Sequence, residues 1–162
     1  MITKPTTVNN EIIDLDLSVT KKKKFRFDRD DTRIIELNTS DMGIIGRISD
    51  AYPKLTALQD KASKMMEGLH DDDAYLEDDL KLIGARLSEV DNEMRQIIDE
   101  IFSADISAKA APDGSMYDPF DGTYRFEHII TLLMSQYEKN LQDEYAKIEH
   151  QVKSHTDKYT KK

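Results

Sequence analysis

The sequence predicts an α+β fold that is mainly helical, with an N-terminal antiparallel β-hairpin or strand unit followed by a bundle of about four helices. Three observations carry this. Apolar residues alternate with polar ones through "IIDLDLSV" and "KFRFDRDDTRIIEL" before residue 38. From Ile44 to Val152 they recur instead at steps of three and four. Trp is absent and aromatics are only 7% of 162 residues, which suits thin helix seams better than a wide core. That length fits one domain. The expected layout is a flexible arm at 1–10, a single domain at 11–155 and a frayed tail at 156–162. Within the domain, 11–38 is the strand unit and 39–155 the helical bundle.

Ile13, Leu15, Leu17 and Val19 share one face of an extended chain, with Asp14, Asp16 and Ser18 on the other, the period of a half-buried strand. Phe25 and Phe27 begin a hairpin, "RDD" turns it, and Ile35 and Leu37 return. The four lysines Lys21 to Lys24 could form a nucleic-acid patch. They are few and an acidic turn follows, so a solvated lead-in that discourages edge pairing is the better reading.

Thr39 or Ser40 is the expected N-cap of the first helix, because its hydroxyl can accept an orphan amide hydrogen bond. Ile44, Ile45 and Ile48 should form its face, and Pro53 should end or kink it near Ala51. A second segment carries Leu55, Leu58, Ala62, Met65 and Leu69. The longest regular pattern follows, with Leu76, Leu80, Ile83, Leu87, Val90, Met94, Ile97 and Ile101 at alternating steps of four and three. Asp71 to Asp73 are its cap candidates. Burial is expected from Leu80 through Ile97, and Gly84 would admit a second helix closely. A last helix runs from about Tyr124 to Ser154, with Phe126, Ile130, Leu133, Tyr137, Leu141, Ile148 and Val152 on its face. Its second half is more polar and is expected to project or to dock only in an assembly. A second copy or a client protein would then cover what apolar face remains.

Composition narrows the function classes. Net charge is -9, which opposes non-specific nucleic-acid binding and suits a basic protein partner. With no cysteine there is no disulfide, thiolate metal site or Cys nucleophile. No apolar run is long enough to span a membrane, and Met1 to Val8 holds no signal-type apolar core. A soluble cytoplasmic protein is expected.

"APDGSMYDPFDGTYRFEHII", residues 111–130, is the densest stretch. Asp113, Asp118 and Asp121 suggest calcium, but their spacing of five and three fails the EF-hand pattern. A connection between two helices is expected instead, with turns at Asp113-Gly114, Asp118-Pro119 and Asp121-Gly122. Its aromatics should fold over the end of the preceding long helix. They are also the best candidates for partner contact, namely Tyr117, Phe120 and Tyr124. His128 and His150 each sit beside a glutamate, yet no HExxH or paired-histidine spacing occurs. No catalytic constellation, phosphate loop or metal set is found, so no catalytic, cofactor or metal residues are assigned and a non-enzymatic role is expected.

The ordered segments "KFRFDRDDTRIIELNTSDMGIIGRI", "AYPKL", "VDNEMRQIIDEIF" and "APDGSMYDPFDGTYRFEHII" resemble small proteins of tail-morphogenesis modules in long-tailed bacteriophages and prophages of Gram-positive hosts. These are commonly read as tail assembly chaperones. The likeness runs from Phe25 to Val152 and leaves out Met1 to Thr20. It implies a protein that binds the tape measure protein or other tail proteins in the host cytoplasm. The alternative it implies is a structural tail component retained in the virion, with N-terminal strands adding to a neighbour's sheet. The resemblance alone carries these expectations.

Overall fold

Lys23–Arg26 (β1) and Ile34–Leu37 (β2) pair antiparallel, with Phe25 opposite Ile35. This hairpin opens a computed structural model that describes residues 12–15, 22–68 and 77–160. The expected arm, residues 16–19 of the first expected strand, Leu69, the Asp71–Asp73 caps and Leu76 lie outside the described residues. The alternation acts as predicted: Ile35 and Leu37 are buried while Ile34 and Glu36 are exposed. Asp30 organises the turn, its carboxylate accepting from the Thr32 amide at 2.9 Å and the Thr32 hydroxyl at 2.7 Å. Ile12 to Leu15 form no strand, and Ile13 and Leu15 are exposed. Alternation specifies which face a strand would bury, not whether a neighbour exists to pair with it.

The first helix differs from expectation in three ways. It spans Ile44–Glu67 (α1) without interruption, although Pro53 lies inside it. Proline removes one backbone hydrogen bond. Ala51, Leu55 and Ala62 are nonetheless buried on one continuous seam either side of it, and this packing outweighs the lost bond. Gly43 stands at the N-cap with no side-chain cap bond. Thr39 and Ser40 lie instead in a preceding turn, where the Asp41 carboxylate accepts from the Gly43 amide at 2.9 Å. Finally, Ile44 is buried and Ile45 exposed, since adjacent helical residues point about 100° apart.

Glu77–Phe102 (α2) packs antiparallel to α1, with Arg47 near the start of α1 donating to the Ile101 carbonyl at 2.7 Å. Its buried residues are Val90, Met94, Ile98, Ile101 and Phe102. The predicted seam is therefore fully buried at Val90, Met94 and Ile101, packs half-buried against the core at Leu87 and Ile97, and fails at Leu80. Ile97 is half-buried and Ile98 takes the core position, while Ile83 and Leu87 are half-buried and Leu80 is exposed. A strict 3.5-residue stripe drifts around a straight helix of 3.6 residues per turn, so no single set of positions faces the core throughout. Gly84 meets nothing within 4 Å of a built Cβ, so no helix approaches it closely.

A short helix Ser107–Ala110 (α3) and a miniature hairpin, Pro119–Phe120 (β3) and Thr123–Tyr124 (β4), lead into Arg125–Thr160 (α4). The last helix thus reaches well into the segment expected to fray. Tyr52 of α1 donates to Glu127 at 3.2 Å, and Tyr137 lies against Phe102 with ring centroids 6.2 Å apart. These contacts set α4 parallel to α2. The three long helices are side by side only between Phe126 and Asn140. Beyond Gln59 and before Val90, α1 and α2 continue as a pair. Beyond Asn140, α4 continues alone, and every described side chain from Gln142 to Asp157 is exposed.

Candidate functional site

The corner between α2 and α4 is held chiefly by three charged side chains that bind backbone. Arg95 of α2 donates to the carbonyls of Ser107, Ala111 and Gly114 at 3.1, 3.0 and 2.8 Å. It also pairs with Asp91, one turn earlier, at 2.8 Å. The other oxygen of Asp91 accepts from the Met116 amide at 2.7 Å. Asp99 accepts from the amides of Ile106 and Ser107 and so opens α3. Met116 is fully buried and anchors the corner in the core. The corner therefore packs against the middle of α2, at Asp91 and Arg95, rather than over its end as expected.

Two of the expected turns are conspicuous in the backbone. Asp121 and Gly122 both have positive φ, 49° and 80°, the combination a two-residue hairpin turn needs. Gly114 has φ 84°, and a Cβ there would meet Asp118 Oδ2 at 2.8 Å and Arg125 Nη1 at 2.9 Å. Asp118 serves this turn, accepting from the Ser115 amide at 2.8 Å and lying 3.8 Å from Arg125. Among the described residues no three His, Asp or Glu side chains converge as a metal site.

The three candidate contact residues fall on two sides of the corner. Tyr117 and Tyr124 line a groove of about 310 Å³ with Gln59, Ala62 and Met66 of α1. Gln59 is buried there, and its amide nitrogen donates to the Tyr117 carbonyl at 3.3 Å. Its oxygen Oε1 is buried with no donor. Phe120 lies on the other side, its ring 4.8 Å from that of His128 and under the Arg125 guanidinium at 5.5 Å. It lines a separate groove of about 280 Å³ that includes Phe27 and Arg33 of the first hairpin. Arg33 closes that groove by donating to the carbonyls of Lys109 and Ala110 at 2.7 and 2.8 Å.

Electrostatic shifts are modest and lie away from the grooves. Burial pushes the Tyr52 phenol up, and the neighbouring Glu127 carboxylate adds to this. Burial likewise raises Tyr137, with Asp41 contributing. The hydrogen bond from Arg47 holds the Asp41 carboxyl below its ordinary value. What the tyrosine-lined groove presents at its surface is apolar area from Met66 and the tyrosines.

Gln59, Asp91, Arg95 and Met116 were not singled out from sequence. Their spacing carries no motif, and only the exposed-looking "DGSMYD" context of Met116 hinted that an apolar residue there must turn inward. No protein-family model matches the chain, and neither a curated protein nor a solved structure matches it.

Proposed function

We propose that the protein is a non-enzymatic tail-morphogenesis protein, a tail assembly chaperone that binds the tape measure protein in the host cytoplasm. The resemblance from Phe25 to Val152 supports the family, and one structural observation supports the mode of binding. Beyond the start of α4, no third helix among the described residues lies against the α1–α2 pair, and apolar side chains are left exposed. Leu80 is 48% exposed and Met66 is 44% exposed. Ile83 and Leu87 continue the same side of α2 at helical spacing, half-buried. A client helix laid there takes the place that α4 fills further along, by helix-in-groove packing. Tyr117 and Tyr124 stand at the inner end of that site, beside Met66. Phe120, on the far side, belongs to the other groove.

A tape measure protein is long, helical and apolar on one face, and needs cover until a tail tube encloses it. Glu77, Asp78 and Asp79 at the start of α2 give the site an acidic mouth that favours a basic client. Among the described residues no helix is long and apolar enough to cross a membrane.

The test is co-expression with the tape measure protein of the same gene cluster, followed by pull-down and tail-assembly complementation. Leu80→Glu with Met66→Glu, both at exposed positions, and separately Tyr117→Ala, should abolish client recovery and leave folding intact. Unchanged recovery and tail formation in all of these would reject the proposal. Fixed stoichiometry of the protein in purified virions would favour a structural tail component instead.

A further inference from the structure

We infer that the projecting half of α4 is a self-association helix, pairing antiparallel with the same helix of a second copy around a two-fold axis. The face of α4 that is core as far as Tyr137 continues beyond the bundle through Leu141, Tyr145, Ile148 and Val152, at steps of four, three and four. Tyr145, Ile148 and Val152 are 50%, 52% and 60% exposed. A solitary helix with an apolar stripe is marginal in water without a packing partner. At its base the stripe meets a second uncovered apolar group, since the Tyr145 hydroxyl is 3.7 Å from the exposed Met42 sulfur at the bundle's end.

Charge decides which partner fits. The chain carries an excess of nine acidic groups, so two copies repel over most of their surface. Residues 141–162 come close to balance, with five lysines against four carboxylates. This segment can approach a second acidic copy without that repulsion. Antiparallel pairing also sets the helix dipoles head to tail. Placing Ile148 of each helix beside Val152 of the other puts the axis near His150. Glu149 then lies within about 3 Å, along the helix axis, of Lys153 in the second copy, on the same flank. Residues 142–160 are roughly 28 Å long, enough for two full heptads of contact. A two-fold arrangement closes on itself and produces a dimer rather than a filament.

Light scattering of the purified full chain, without client, should give twice the 18.7 kDa chain mass at micromolar concentration. Ile148→Glu with Val152→Glu should raise the dissociation constant at least ten-fold. No described residue beyond Asn140 is buried, so the bundle should keep its fold. Since the chain has no cysteine, single introduced thiols report the geometry. Gln151→Cys, close to the axis, should cross-link to itself on oxidation. Gln142→Cys should not, because antiparallel pairing separates its two copies by roughly 24 Å. A strict monomer, an undiminished dimer in the double glutamate variant, or equal self-cross-linking at position 142 would each overturn the proposal.

Discussion

Arg95 is the residue on which the corner depends. It and Asp91 are only 20% and 15% exposed, and Arg95 satisfies the Ala111 and Gly114 carbonyls and adds a second bond to the Ser107 carbonyl, which already accepts from the Ala111 amide. Arg95→Ala strands the Asp91 carboxylate and those carbonyls, and is expected to cost about 3–5 kcal/mol in urea denaturation. Arg95→Lys should recover little, because an ammonium cannot reproduce the planar fork. A loss below about 1 kcal/mol for the alanine variant would show that the corner is held some other way. Nothing in the sequence marked Arg95, since a side chain that binds backbone carbonyls leaves no pattern of residue types. Asp41 offers a second test. Its folded carboxyl lies below the ordinary value of 3.8, chiefly through the hydrogen bond from Arg47. It therefore adds stability that is present above pH about 4 and lost as pH falls through the lower folded value. Asp41→Asn should lower stability at neutral pH and flatten the acid limb of a melting-temperature profile below pH 4, and an unaltered limb would contradict the Arg47 linkage.

Among the elements, α2 shows what periodicity can and cannot specify. Its existence and length were legible, because few alternatives accommodate eight apolar residues at steps of four and three. Its core was legible only from Val90 onward, where α1 and the corner cover it. Before Val90 the same repeat is half-buried at Leu87 and Ile83 and exposed at Leu80, since an apolar stripe records an affinity for a partner and not the partner's presence. Met94→Ala, at a fully buried site, should cost about 2–5 kcal/mol, and Leu87→Ala, half-buried, clearly less. Equal costs would mean the overhang is as well packed as the core. The first hairpin was legible because alternation and turn residues agree over a short span. The continuity of α1 was not, because the penalty at Pro53 is local and the seam that outweighs it comes from another element. At the corner, the glycines marked the turns correctly. The side to which each aromatic turned depended on which helix lay behind it, and Phe120 and Tyr117 parted company on that basis.

For the whole molecule, the expected class holds: a short antiparallel hairpin followed by helices. What sequence left out is the stagger. Three helices overlap over roughly four turns and then run past one another in opposite directions, so the bundle has two unfinished ends with different character. The α1–α2 end is acidic at its mouth and lacks one helix. The α4 end is nearly neutral and lacks an identical partner. We propose the first end for a client and the second for another copy of the chain. A dimer so formed presents two client sites pointing away from each other.

Asn140 joins the most distant parts of the chain, and that has a consequence in time. Its side chain takes Lys23 Nζ at 2.6 Å and reaches Ser40 at 3.1 Å, across separations of 117 and 100 residues. The carbonyls held by Arg95 lie only 12 to 19 residues away. Closing the longer loops costs about 2 kcal/mol more in chain entropy. The α2 corner should therefore form before the rate-limiting barrier, and the first hairpin should dock on α4 after it. In stopped-flow refolding, Met94→Ala should chiefly slow folding, whereas Asn140→Ala should leave folding nearly unchanged and accelerate unfolding. Were Asn140→Ala to slow refolding as much as Met94→Ala, the hairpin would be part of the nucleus, and the order of assembly would run the other way.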